Sequence, residues 1–173
     1  GLIQFFKSRG LKVALAAPTG RAAKRMAEAT GEEAKTIHRM LEYKAFNEGG
    51  RMTFGKDKDN PLIEDVIIID ETSMVDVILM YHLLSAIKPG ARLILVGDKD
   101  QLPSVGPGSV LRETIASERI PVVTLDEIFR QAKEGMIVVN AHRINQGLYP
   151  YLNVKGKDFF YEQKITPEEI LDD

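Results

Sequence analysis

The chain has no cysteine and only three histidines among its 173 residues. Without cysteine there is no disulfide, no thiolate zinc site and no cysteine nucleophile. The histidines are scattered, which argues against a histidine metal centre. No apolar run approaches the roughly 20 residues that a membrane span needs. The opening stretch, GLIQFFKSRG, lacks the ordered basic, apolar and cleavage regions of a secretory signal. These absences lead us to expect no membrane contact and a reducing, cytoplasmic setting.

Hydrophobic residues make up 44% of the chain, enough for a real core in about one domain. The net charge of −2 excludes a protein that is basic all over. The charge is uneven, however. Residues 1–60 hold 12 Lys/Arg against 7 Asp/Glu, net +5, and residues 61–173 hold 11 against 18, net −7. Such asymmetry is expected of a polyanion-binding face, or of ordinary solvated helix faces.

Short apolar runs alternate with helical patterns. Lys12–Ala17, Val66–Asp70, Leu93–Val96 and Val122–Leu125 read as strands. They are apolar on both faces, as in a parallel sheet covered on both sides. Helices are expected at Gly20–Ala29, Thr36–Tyr43, Val75–Ile87, Gly108–Ser117 and Gly135–Gln146. Capping pairs Ser73 with Asp76, Thr124 with Glu127, and Thr166 with Glu169 mark helix starts. The alternation predicts an α/β fold with a mostly parallel sheet flanked by helices. Residues 44–62 interrupt it, and Tyr43–Asn47 and Arg51–Phe54 could pair as a hairpin or form a surface loop. From Gly147 the chain reads as a linker, followed by a strand at Asp158–Glu162 and a further helix.

Four informative patterns begin at the C-terminal ends of the four expected strands, the edge where open α/β sheets bind ligands. Ala17-Pro18-Thr19-Gly20-Arg21 turns from strand into helix, and helix N-termini suit phosphate. Ile69-Asp70-Glu71 delivers two adjacent carboxylates from a buried strand. In nucleotide hydrolases such an Asp holds Mg²⁺ through water and such a Glu polarises the attacking water. Gly97-Asp98-Lys99-Asp100-Gln101 places a neutral amide in a polar loop after a strand. Arg130, after Thr124–Glu127, could stabilise charge on a transferred phosphoryl group.

In this order and spacing the patterns resemble the first RecA-like domain of a superfamily 1 DNA helicase of the RecD/TraA group. Residues 17–23 (APTGRAA) resemble that family's motif Ia, and 67–76 (IIIDETSMVD) its motif II. Residues 95–111 (LVGDKDQLPSVGPGSVL) resemble motif III, and LDEIFRQA with NAHRINQG the motif IV region. The resemblance covers most of residues 1–147. It implies a RecA-like P-loop NTPase fold, with 148–173 as linker and start of a second RecA-like domain.

The resemblance also implies roles. Asp70 and Glu71 would hold Mg²⁺, and Glu71 would activate water. Gln101 would sense the γ-phosphate of ATP, and Arg130 would touch it. Pro18, Thr19, Gly20, Arg21 and His38 would lie along single-stranded DNA, though His38 also reads as a structural histidine beside Ile37. Residues 44–62 would form a small hairpin that splits duplex DNA, with Phe46 or Phe54 stacking on a base. The parent would be an ATP-driven, 5′-to-3′ DNA helicase, with recombination-complex subunits as candidate partners. Two other readings stay open: a single-stranded DNA-binding module without turnover, and the helicase part of a relaxase–helicase.

The phosphate loop of this family, G-x-x-x-x-G-K-[ST], follows a strand and opens a helix. Gly50–Lys56 matches the glycines and lysine, but Asp57 replaces Ser/Thr and Asp59-Asn60-Pro61 follows. It is a turn by context. We therefore expect a fragment that lacks the first strand and phosphate loop, and that is inactive alone. A three-stranded core in the order 12–17, 66–70, 93–96 is expected. Val122–Leu125 would then slide in beside it, detach, or pair with another copy.

Overall fold

The computed structural model describes residues 1–44, 53–125, 135–155, 157–162 and 164. They group into two compact units, Gly1–Val122 and Val123–Asp173.

The first unit is built on one parallel sheet. Its strands are β1 (Val13–Ala17), β2 (Ala34–Thr36), β5 (Val66–Ile69) and β6 (Arg92–Leu95), in the spatial order β2-β1-β5-β6. The register pairs Ala17 with Thr36, Val13 with Val66, and Val66 with Arg92. β5 is buried along its whole length, as its unbroken apolar sequence predicts.

Helices cover both faces. They are α1 (Leu2–Lys7), α2 (Gly20–Thr30), the single turn α3 (Ile37–Met40), α4 (Val77–Ala86) and α5 (Val110–Ala116). Strand side chains alternate between the two faces. Ile67 and Ile69 pack with Ile37, Leu79 and Leu83 from α3 and α4. Val66 and Ile68 pack with Phe6 of α1 and Met26 of α2. The small residues Ala17, Ala22 and Ala23 let α2 lie close on β1. The α/β architecture expected from the sequence is the one found, and the order 12–17, 66–70, 93–96 is kept.

Several local expectations are corrected. The sheet gains a fourth strand, β2, where the sequence reading assigned no element to Ala34 and Lys35 and began a helix at Thr36. Thr36 is both the last residue of β2 and the N-cap of α3, and the chain leaves the helix at Leu41 rather than continuing to Tyr43. Tyr43–Lys44 forms β3 instead, pairing antiparallel with β4 (Thr53–Phe54) in the register Tyr43 with Phe54. The base of the expected hairpin is therefore formed, and its tip, with Phe46, lies outside the described residues. Ser73 does not cap α4. Glu71 turns the chain with φ 52° and ψ 40°, a 3₁₀ turn follows at Thr72–Met74, and Asp76 takes the cap, accepting from the Leu79 amide at 2.7 Å. Ser73 Oγ is buried and makes no hydrogen bond among the described residues.

Val122–Leu125 joins no strand, and Val123 and Leu125 are 88% and 92% exposed. Of the three outcomes open to this segment, sliding in beside the described strands is not the one found. On the other side of the sheet, no described strand pairs beyond β6. Glu127, expected to pair with Thr124, lies outside the described residues.

In the second unit, α6 (Met136–Asn145) matches the expected helix. Asp158–Glu162 is not a strand. The stretch read as a linker is held to α6 by side chains. Buried Asn140 donates to the Tyr151 carbonyl at 2.8 Å and accepts from the Tyr151 amide at 2.7 Å. Asp158 accepts from the first amides of α6, Met136 and Ile137. Asn153 and Tyr161 repeat the reciprocal amide pattern of Asn140 and Tyr151. Asn153 thereby occupies the Tyr161 amide and carbonyl that a ladder would use, and Asp158–Glu162 pairs with no described strand. The Thr166–Glu169 helix lies outside the described residues. Among the described residues no helix is long and apolar enough to cross a membrane.

Candidate functional site

Because all four strands of the sheet are parallel, their C-terminal ends share one edge. Thr19 and Arg21 follow β1, His38 follows β2, Asp70 and Glu71 follow β5, and Gln101 follows β6. The unforeseen strand β2 brings His38 to this edge. The candidates thus stand across it in the order His38, Thr19, Asp70, Gln101.

At the β1 end, Thr19 is extended, with φ −121° and ψ 154°, and caps α2 by accepting from the Ala22 amide at 3.2 Å. Its hydroxyl hydrogen is still available to an acceptor, and the first amides of α2 precede any intrahelical acceptor. Pro18 is half-buried, and Gly20 and Arg21 are exposed. An anion at this point would meet hydroxyl, amides and the guanidinium of Arg21 together.

At the β5 end, the Asp70 amide donates to Ala16 of β1 at 2.9 Å, and the Asp70 carboxylate accepts from the Glu71 amide at 2.9 Å. Glu71 sits in the left-handed region, a conformation that a non-glycine residue adopts only when its surroundings enforce it. Thr72 supplies part of that enforcement. Its amide donates to Val96 at 2.9 Å, and its hydroxyl to Ile69 at 3.2 Å. A guanidinium nitrogen of Arg25 lies 3.2 Å from Glu71 Oε1.

The third loop is tied to the second at both ends. A Cβ at Gly97 would come within 2.9 Å of Leu111 and 3.0 Å of the Thr72 amide nitrogen, so the position accommodates glycine alone without a shift. At the far end, Pro107 accepts from the Val77 amide at 3.0 Å, and a Cβ at Gly106 would meet the Asp76 carboxylate at 2.0 Å. Between these anchors Asp98 accepts from the Asp100 amide at 2.9 Å, an Asx turn, and Gln101 is exposed.

His38 is half-buried. Its ring meets Tyr43 at 5.6 Å and Phe54 at 6.1 Å, and Phe54 also meets His82 of α4 at 4.7 Å. The structural reading of His38 therefore has direct geometric support: it anchors the base of the hairpin. Arg130 lies outside the described residues.

The described part of the near-match Gly50–Lys56 is no phosphate loop. Lys56 reaches the Glu42 carboxylate at 3.8 Å, Asp57 accepts from the Asp59 and Asn60 amides at 2.9 Å, and no helix follows. Nor do the described residues hold a cluster of three or more His, Asp or Glu side chains fit for a metal. Asp70 and Glu71 fit one side of a water-coordinated Mg²⁺, whose other ligands would be water and phosphate oxygens.

Sequence reasoning counted Arg25 only as added positive charge on the helix after the first strand and Asp76 only as the partner of a Ser73 cap, and it missed the Thr36 cap and the two glycine approaches. Arg25 had a signal, four residues after Arg21 on one helix face. The glycine approaches had none, since they join loops far apart in sequence.

A parallel sheet with polar residues along its C-terminal edge, and an Asp-Glu pair leaving a buried strand, is an α/β arrangement of the RecA-like class. The chain belongs to the AAA domain family, whose profile matches residues 1–107. Several of its relatives are named RecD or RecD2. It is 42% identical over 144 residues to the ATP-dependent RecD2 DNA helicase of Deinococcus radiodurans, covering 83% of this chain and 19% of that protein. It is 47% identical over 120 residues to the RecBCD enzyme subunit RecD of Mycobacterium tuberculosis, covering 60% and 20%. It is 38% identical over 101 residues to the ATP-dependent DNA helicase dda of phage T4, covering 57% and 23%. The chain thus spans about a fifth of the length of these curated relatives. It shares its fold with the single-stranded-DNA-bound Pif1 crystal structure from Bacteroides. There the TM-score is 0.53 and the identity 20%, over 84% of this chain and 39% of that one.

Proposed function

We propose that these residues form the core of the first motor domain of an ATP-dependent DNA helicase that moves 5′-to-3′ along single-stranded DNA and unwinds duplex. The observation that carries this is the alignment of Thr19, Asp70–Glu71 and Gln101 along one sheet edge, with two of the loops stitched together. Thr19, the first α2 amides and Arg21 grip a DNA phosphate. Asp70 and Glu71 would hold Mg²⁺ through water, and the ion would supply charge neutralisation to the nucleotide phosphates. Glu71 takes the proton of the attacking water, whose oxygen bonds to the terminal phosphorus as the bond to the leaving diphosphate breaks. Gln101 contacts the terminal phosphate, and Arg130 offsets its developing charge. Residues 148–173 begin a second RecA-like domain, partner subunits of a recombination complex dock on the longer protein, and the setting is cytoplasmic.

The test is Mg²⁺-dependent ATP hydrolysis with oligo-dT, on the longer protein and on the 173-residue chain. The longer protein turns over and Glu71→Gln abolishes it, while the chain alone is inactive. Turnover by the chain alone would overturn the assignment of Gly50–Lys56 as a turn. A second reading, single-stranded DNA binding without hydrolysis, draws on the exposed basic face of α2 (Arg21, Lys24 and Arg25). Salt-sensitive binding with no turnover in the longer protein would favour it.

A further inference from the structure

We propose that Arg25 is a positioning residue for Glu71, and that a single-stranded DNA phosphate competes with Glu71 for its guanidinium. This rests on the helicase reading and deepens it, since it links DNA occupancy to the state of the residue that activates water.

Four observations carry it. Arg25 belongs to the α2 face that also presents Arg21, one helical turn nearer the N-terminus. Its guanidinium lies 3.2 Å from Glu71 Oε1, joining the helix after β1 to the carboxylate pair after β5. The two partners differ in exposure: the Arg25 side chain is 69% exposed and that of Glu71 19%. Arg25 can therefore leave for a ligand in solvent while Glu71 stays in place. Finally, the Glu71 backbone is held in the left-handed region and its amide is engaged by Asp70, so the side chain is the part left to be directed.

The chemistry follows from what a guanidinium recognises. Its planar fork of donors fits carboxylate and phosphate equally well in geometry. An oxygen already accepting from a guanidinium is turned toward it and is not free to receive a hydrogen bond from the attacking water. When a phosphate of the strand lying along Arg21 engages Arg25, Glu71 Oε1 is released to the water. Binding linkage makes the effect reciprocal: removing Glu71 must strengthen the hold of Arg25 on DNA.

The experiment is a double-mutant cycle in the longer protein, read as oligo-dT affinity without nucleotide. The variants are Arg25→Ala, Glu71→Gln and the double substitution. Glu71→Gln is expected to tighten binding roughly two- to five-fold, the size that an exposed ion pair supports. In the Arg25→Ala background the same substitution is expected to leave affinity unchanged. Tightening of equal size in both backgrounds would mean general charge repulsion, and no tightening would mean no competition. Either overturns the proposal. A second readout is the ratio of hydrolysis with DNA to hydrolysis without it. Arg25→Ala lowers this ratio by raising the DNA-free rate, and Arg25→Lys restores part of it. A proportional fall in both rates would mark a merely structural arginine. Failure of the unsubstituted protein to hydrolyse ATP would instead defeat the helicase reading, an outcome separate from a wild-type enzyme whose cycle shows no coupling.

Discussion

Asp65, at the sheet edge away from the candidate site, accepts from the Lys88 ammonium at 2.8 Å and from the Lys12 amide at 2.8 Å. The Lys88 hydrogen bond is the main reason its carboxyl titrates below the usual aspartate value, with the Lys12 amide second. A carboxyl lowered on folding contributes stability that is present above its unfolded value, about 4, and is lost as pH falls through the folded one. The urea midpoint advantage of the natural chain over Asp65→Asn should therefore be full at pH 7 and shrink below about pH 4. A pH-independent difference would contradict this. Thr19 offers a second test at the same scale. Thr19→Ala removes the α2 cap and should cost about 1 kcal/mol in urea denaturation. In the longer protein it should also weaken oligo-dT binding. At this scale the sequence was informative about placement: Thr19, Asp70 and Glu71 follow β1 and β5 at the sheet's C-terminal edge, as the strand pattern predicted. It marked Arg25 only as positive charge on α2, because an arginine on a polar helix face has the same local pattern whether or not a carboxylate waits across the sheet.

At the scale of elements, α4 shows how two distant loops become one unit. Its first amides are satisfied by its own Asp76 and by Pro107 from the third loop. The Cβ of an alanine at 106 would meet the Asp76 carboxylate, and Gly108 combines φ +84° with a Val77 methyl 2.3 Å from its own absent Cβ. Gly106→Ala should therefore cost about 1–2 kcal/mol by displacing the cap. In a denaturation cycle with Asp76→Ala the two losses should be less than additive, since both remove the same contact. The hairpin makes a complementary case. Turn residues left a hairpin and a surface loop both open, and its base forms with the register that lets Tyr43, Phe54 and His38 cluster. Deleting Asn47–Met52 should abolish unwinding by the longer protein and spare its ATPase, measured side by side on a forked duplex. Loss of both would contradict a strand-separating role. The short strand β2 was not legible, because three residues of ordinary polarity become a strand only when β1 offers a free ladder edge.

For the whole molecule, the described residues form two compact units that meet in sequence at Val122 and Val123. The exposed, unpaired Val122–Leu125 segment is a natural site of proteolysis. Brief elastase treatment of the 173-residue chain should leave a resistant piece ending near Val122. Cleavage first within β1 or β5 would contradict that division. What the sequence by itself determined was the plan: buried strands too apolar to face water, helices amphipathic enough to cover them, and polar chemistry after each strand. Those features are local, since the period of apolar residues and the turn at a strand end depend on neighbours in the chain. Tertiary structure decided the rest. It alone could make β2 an edge strand, leave the apolar Val122–Leu125 out of the described sheet, and move the α4 cap from Ser73 to Asp76. It alone set Arg25 against Glu71. Each of these depends on groups brought together from distant segments, where a free ladder edge, an amide without an acceptor or an unpaired carboxylate chooses its partner by position in space.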